Sequence, residues 1–296
     1  MEHHTSLPTT PAAYEPPRAT GRPSLREHLH AGRRHLLALL TLAPLAGAGR
    51  AQTSRPPELP LRITSSESGG ELRGAVRAVS EFPFAAVSLA LGSPENWCEI
   101  LMLHLNNKAC QLDGTAEGHS IKLAIARKHD QPPQQANTLA LQWRLREAGD
   151  RLVVRLDAAV GPFGTTDYVV ELIASPVGSR TAIEFSYGCR FGTGARLGMQ
   201  AYMSTLGRDK VGFSMLPASE GSRLVGGLRG VIERTAVRYY LAIDAWLHAM
   251  SAPDAQRSMR RLEHWFDATE RYPRQLHEMD KPVYLAQKRR ELGLPE

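Results

Sequence analysis

Residues able to do acid-base, nucleophilic or metal chemistry are spread along this 296-residue chain. No serine stands in a GxSxG elbow and no HExxH occurs, so two common hydrolase signatures are missing. His104, His119, His129, His248, His264 and His277 are dispersed in sequence, which argues against a zinc site, and no metal or cofactor is expected. GGLRG at 226–230 lacks the lysine and the preceding strand of a phosphate loop. Gly226, Gly227 and Gly230 are expected instead to allow close approach of helix and sheet. One stretch does gather polar chemistry, RGVIERTAVRYYLAIDAWLHAM at 229–250. It reads as a helix that is apolar round most of its circumference yet carries Arg229, Glu233, Arg238 and Tyr240. Arg229 and Glu233 have i,i+4 spacing. Such groups either orient a ligand head group at the rim of an apolar pocket or tie the helix to neighbouring segments.

Three cysteines make an odd count. Cys98 and Cys110 bound a short segment, WCEILMLHLNNKAC, and in an oxidising compartment they are expected to pair, for about 2–3 kcal/mol in the chain-entropy view. Cys189 alternates with Ile183, Phe185, Tyr187 and Phe191 in IEFSYGCRF and is expected to be a buried free thiol. Its one cationic neighbour, Arg190, points to the opposite face, so nothing activates it as a nucleophile.

Export is read from the start of the chain. Residues 1–32 are rich in Pro, Thr and His without a sustained apolar period, a composition that cannot offset ordering entropy, and they are expected to be disordered. In GRRHLLALLTLAPLAGAGRAQ, Arg33 and Arg34 precede an apolar run over 36–46 and then small residues, the layout of a secretory signal too short to span a membrane. Cleavage after Ala51 or after Ala48 fits; Ala51 leaves the polar QTSRPPELP as the new start. The arginine pair suits either a twin-arginine or an ordinary signal. Residues 1–51 are therefore read as a disordered n-region plus signal peptide, 52–65 as a linker, and the mature protein as periplasmic or secreted. The formal charge of +6 falls to +3 once the six arginines and three glutamates of 1–51 are removed. With basic residues scattered, no nucleic-acid partner is expected. In RSMRRLEHWFDATERYPR, 257–274, Met259, Leu262, Trp265 and Phe266 recur at helical spacing between arginines; this stripe either touches an anionic membrane surface or packs on its own domain.

The elements that must position these residues are most legible in the middle. HSIKLAIAR (119–127), NTLALQWRLRE (137–147), DRLVVRLDAAV (150–160), TTDYVVELIA (165–174) and RTAIEFSYGCRF (180–191) alternate with period two and are joined by short turns, which makes an antiparallel meander. One face is dry, with Ile121, Leu123, Ile125, Leu139, Leu141, Trp143, Leu145, Leu152, Val154, Leu156, Tyr168, Val170 and Leu172 joining the Ile183 set. The other face is charged. The alternation is read as leaving no Asp, Glu or His on the dry face. Upstream, ELRGAVRAVSEFPF reads as extended and FAAVSLALGSPENWCEIL as two short helices broken at Gly92-Ser93-Pro94. Downstream, Val225, Leu228, Ile232, Ala236, Tyr239, Ile243, Trp246 and Met250 share about a third of the helix circumference and can face the sheet. Val237 and Leu241 lie on its back, so 251–296 is expected to cover them as a helical extension.

This order of elements, with the segments AVRAVSEFPFAAVSLALGSPENWCEIL and RGVIERTAVRYYLAIDAWL, resembles the START-like superfamily, also called helix-grip or polyketide-cyclase-like, over about 66–250. The resemblance implies an α+β fold, a curved antiparallel sheet wrapped round a long C-terminal helix, with extra C-terminal helices. It also implies a cavity for a hydrophobic small molecule or lipid and no particular reaction. Candidate lining residues are Trp143, Tyr168, Phe185 and Tyr187 on the sheet, and Ile232, Ala236, Arg238, Tyr239 and Tyr240 on the helix; each either lines the cavity or fills a solid core. No catalytic residue is assigned. An exported carrier is the expected function, with a cyclase- or dehydratase-type enzyme, or an envelope scaffold with a solid core, as alternatives.

Overall fold

The computed structural model describes residues 61–115, 118–205, 207 and 209–295. The signal segment 1–51 and residues 52–60 of the linker lie outside them. Among the described residues, eight strands build one antiparallel sheet. They are β1 (Arg62–Ser68), β2 (Glu71–Ser80), β3 (Asn107–Thr115), β4 (Gly118–Ile125), β5 (Asn137–Ala148), β6 (Arg151–Val160), β7 (Thr165–Val177) and β8 (Arg180–Phe191). Their spatial order is β1-β2-β8-β7-β6-β5-β4-β3, so the chain leaves β2 and crosses to the far edge before the meander runs back. All five expected strands are present. Two more, β1 and β3, were not expected, and β1 places residues 62–65 in the sheet rather than in a linker.

The crossing carries α1 (Phe84–Leu91) and α2 (Pro94–Leu101), the two short helices read from the sequence, and Pro94 at the first position of α2 starts it cleanly. Cys98 of α2 is joined to Cys110 of β3 with a Cα–Cα distance of 5.5 Å, as expected, while Cys189 is free and buried. Burial pushes the Cys189 thiol up to about 12, so it is inert at neutral pH. After β8 come α3 (Thr193–Ser204) and the long helix α4 (Gly227–His248), followed by α5 (Asp254–Thr269), α6 (Pro273–Leu276) and α7 (Lys281–Leu292). The expected helix-grip architecture is present, with α4 laid on β1, β2 and β8 and with α5 covering its back.

Close approach of α4 to the sheet depends on Gly74 of β2, where a Cβ would sit 2.9 Å from the Ile232 carbonyl oxygen. The glycines at the start of α4 serve otherwise than the sequence suggested. Gly230 abuts Gly212 and Val225 of the preceding segment, and Gly226 and Gly227 have open space around them. Two irregularities re-aim the sheet. A register shift between Asn107 and Ala109 interrupts β3, and another between Thr166 and Val169 in β7 includes Asp167 at φ 52. Such bulges sharpen local twist and help the sheet curve.

Every expected dry-face residue is buried or partly buried, and so are the α4 stripe and Val237 and Leu241 behind it. The dry face is not free of ionisable groups, however. His119 pairs in register with Trp143 and packs edge-on against its ring, and Glu147, in alternation with Leu145, accepts a hydrogen bond from Ser88 of α1. Both stand at strand ends, which is how they escape the dry centre.

The C-terminal layer is fastened by buried polar groups. The α5 stripe of Leu262, Trp265 and Phe266 is buried, and Trp265 Nε1 donates to the Arg238 carbonyl. These three members of the apolar stripe within 257–274 therefore pack on their own domain. On α7, Lys288 is fully buried; it donates to the Asn107 carbonyl (2.7 Å) and pairs with Glu291 (2.8 Å), which also takes Lys108 (2.8 Å). Burial pulls the Lys288 pKa from 10.5 down to about 8, with Glu291 opposing. Between pH 8 and 10.5 the unfolded chain therefore holds a proton that the folded chain has released, and this group's contribution to stability rises with pH across that window. Below pH 8 the penalty is constant. Wild type measured against Lys288→Met by urea unfolding at pH 7 to 10 should gain of the order of 2–3 kcal/mol over that range. A constant gap would mean that the ammonium is not desolvated.

Candidate functional site

Inside the grip, aromatic residues from four elements form a chain of ring contacts. Tyr239 of α4 stacks on His104, from the turn between α2 and β3, at 5.0 Å between centroids, and on Tyr187 of β8 at 5.8 Å. Phe185 lies 6.3 Å from Tyr239, and Tyr168 of β7 meets Tyr187 edge-on at 6.0 Å. Four sequence-nominated residues, Tyr168, Phe185, Tyr187 and Tyr239, thus come together. Each is held by its element. Tyr168 fits because position 161 is glycine, where a Cβ would lie 2.1 Å from its ring, and its hydroxyl is 2.8 Å from Thr165 Oγ1. Asn107 Nδ2 donates to the Tyr239 hydroxyl at 3.1 Å and to the Leu101 carbonyl at 2.7 Å, while Asn107 Oδ1, also buried, has no partner.

All these groups are neutral at physiological pH. Burial lifts Tyr168 and Tyr239 to about 12 and drives Tyr187 well above its ordinary value. Burial, reinforced by Arg238, Lys288 and Lys108, drives His104 well below. Phenols displaced this far from neutrality are poor acid-base catalysts, and an imidazole held neutral is a hydrogen-bonding partner more than a proton relay. The cluster offers uncharged donors and acceptors in an apolar setting. His104 and Asn107 were not singled out from the sequence as lining residues; they lie where a helix turns into a strand, and periodicity does not read such places.

The remaining nominated residues lie elsewhere. Ile232 packs with Leu72 and Leu228, next to Tyr187, and Ala236 is wholly enclosed in the main core. Trp143 stands apart against His119; its Nε1 is buried without a partner. Arg238 is committed to the C-terminal layer, donating to the Leu276 carbonyl (3.1 Å) and to Glu278 (2.9 Å). Tyr240 is buried, and its pKa is raised first by burial and then by Asp244 and Tyr272, which places it toward that same layer. Neither is a residue of the aromatic chain. Arg229 reaches Glu233 through Ser65, whose hydroxyl accepts from Arg229 Nε and donates to Glu233. On the outer face of the sheet, a depression of about 330 Å³ is bounded by Arg144, Arg146, Arg155 and Glu171, with Arg144 and Arg155 paired to Asp157.

No protein-family model matches the chain, and no curated protein matches it. Solved structures do. They include Ara h 8.0201 (9% identity, 61% of this chain and 99% of that one, TM-score 0.35). The human StarD13 lipid transfer and protein localization domain matches at 6% identity over 48% of this chain and 76% of that one, with a TM-score of 0.35. A truncated norcoclaurine synthase from Thalictrum flavum matches at 11% identity over 50% and 88%, with a TM-score of 0.32.

Proposed function

We propose that the protein is an exported carrier or sequestering protein for a hydrophobic small molecule or lipid with an uncharged polar end, held between the sheet and α4. The observation that carries this reading is Tyr187. It keeps accessible surface although it stands on the inner face, and although its phenol is so enclosed that burial dominates its raised pKa. In this reading that surface faces an internal space. The neutral lining favours a hydroxyl or carbonyl over a carboxylate, because a buried charge without a counter-ion is costly. Export is supported by the Cys98–Cys110 bridge, which persists in oxidising compartments. No helix among the described residues is long and apolar enough to cross a membrane.

Tyr187→Trp tests the reading. If the space is open, added volume should abolish binding of an apolar fluorescent probe and leave the melting temperature within a few degrees of the parent. A solid interior would be overpacked, losing about 1–3 kcal/mol, with no probe bound by the parent either; that outcome would leave the scaffold alternative. Solvent extraction of native protein and mass spectrometry of the extract would identify the ligand class. A cyclase- or dehydratase-type activity is the second reading, and the observation favouring it is His119, an imidazole on the inward face beside Trp143.

A further inference from the structure

At the C-terminal end of α4, three ligating side chains converge. Asp244 and His248 are one helical turn apart on α4, and His264 of α5 faces them. His264 Nε2 lies 3.1 Å from Asp244 Oδ2 and His248 Nδ1 lies 3.5 Å from Asp244 Oδ1, while the two imidazoles stack at 4.3 Å between centroids. One ligand atom from each residue falls within 4.8 Å of the other two. All three side chains are partly buried, at the rim of a cavity of about 480 Å³ that His248 and His264 themselves line with Gln256, Arg260 and Glu263.

We propose that Asp244, His248 and His264 form a binding site for a divalent transition-metal ion, zinc in the first instance. Two imidazoles and a carboxylate are the donor set that zinc takes, and four-coordinate zinc with bonds near 2.1 Å separates its ligand atoms by about 3.4 Å. The two histidine–aspartate separations, one to each Asp244 oxygen, are close to that, and the histidine–histidine separation is within 4.8 Å. Second partners for the ligands are in place. His248 Nδ1 is 2.9 Å from the Asp244 carbonyl oxygen and its Nε2 is 3.1 Å from Glu81 Oε1, so whichever nitrogen binds the ion, the other has an oxygen to hold its proton. Glu81 is a second carboxylate within reach of His248. Three ligands from two helices leave a coordination position open toward the cavity, where water or a substrate oxygen would sit. Sequence reading set the histidines apart because it had no means of knowing that α5 folds back on α4.

The test is calorimetric titration of the metal-stripped full chain with zinc chloride, repeated on His264→Ala, His248→Ala and the near-isosteric Asp244→Asn. The chain also carries His3, His4, His28, His30 and His35, and any zinc they take is common to all four proteins. One equivalent should be lost in both histidine variants and weakened at least tenfold in Asp244→Asn, which keeps the shape and guards against a misfolded result. Zinc at a hundredfold excess over Kd should raise the melting temperature of the parent by about 5 °C or more, and not that of His264→Ala. Equal stoichiometry and affinity in all four proteins, or a parent whose melting temperature zinc leaves unchanged, overturns the site.

Discussion

Glu278→Ala should destabilise the protein by about 3–5 kcal/mol, because it strands a buried guanidinium. The Arg238 side chain is 8% exposed and pairs with Glu278 at 2.9 Å. Arg238 Nε is already buried without a partner, so loss of Glu278 leaves the guanidinium leaning on the neutral Leu276 carbonyl with its charge uncompensated. Burial lowers the Arg238 pKa and Glu278 opposes that; burial works to raise Glu278, and Arg238 with Lys210 together bring it below the ordinary carboxylate value. With its folded pKa depressed, Glu278 stabilises the fold above the unfolded carboxylate pKa of 4.5, and that contribution disappears as pH falls through the folded value. The reciprocal variant, Arg238→Met, should cost less, since Glu278 keeps Lys210 at 2.6 Å. The double variant Arg238→Met, Glu278→Leu should recover much of the loss, as apolar replacement of a buried pair commonly does. Urea unfolding of wild type, Glu278→Leu, Arg238→Met and the double variant closes the cycle and gives the coupling. Additive losses would mean that the two residues do not act as a pair, and would free Arg238 for the head-group role suggested by its position on the helix.

That role illustrates where sequence legibility stopped. The sequence offers Arg238 as a polar group on an apolar helix; which element covers it is a tertiary fact, and that element is the end of α6 and the turn after it, carrying Leu276 and Glu278. The meander was legible because one face is dry and one wet, so every strand from β4 to β8 advertises its register by alternation. β3 hid because the bulge at Lys108 interrupts its alternation and sends that lysine to Glu291. His119 was missed as a strand terminus, although counting by twos from Ile121 would have found it. The aromatic chain was half legible. Its sheet and helix members follow from period two and period 3.6, while His104 and Asn107 sit outside any period and are placed by the Cys98–Cys110 bridge beside them. The convergence of Asp244, His248 and His264 needed the packing of one helix on another, which no local pattern encodes.

β1 hid for a different reason, and the second large effect follows from it. RITSSES has one strongly apolar residue, Ile63, so burial alone does not hold this edge strand. What holds it is Glu233. The side chain is entirely buried on α4, with Oε1 accepting from Ser65 of β1 at 2.6 Å and Oε2 accepting from the amides of Phe213 and Ser214 at 2.6 and 2.9 Å. Ser214 in turn donates to the Ile63 carbonyl at 3.1 Å. One carboxylate therefore joins the helix, the edge strand and the segment leading into the helix. Glu233→Ala should cost about 4 kcal/mol, since hydrogen bonds to a charged acceptor contribute about 1.5–3 kcal/mol each and two buried amides would be left unsatisfied. Glu233→Gln should cost only about 1–2 kcal/mol, because its carbonyl oxygen can still take both amides while its NH2 turns to the Ser65 oxygen. The loss should also be local. Amide exchange in Glu233→Ala should accelerate over 62–68 and at Phe213 and Ser214 before it does in β6 or β7. Uniform acceleration across the sheet would show that Glu233 supports global stability without pinning β1. An unchanged melting curve would show that water replaces the carboxylate, against the complete enclosure of this side chain.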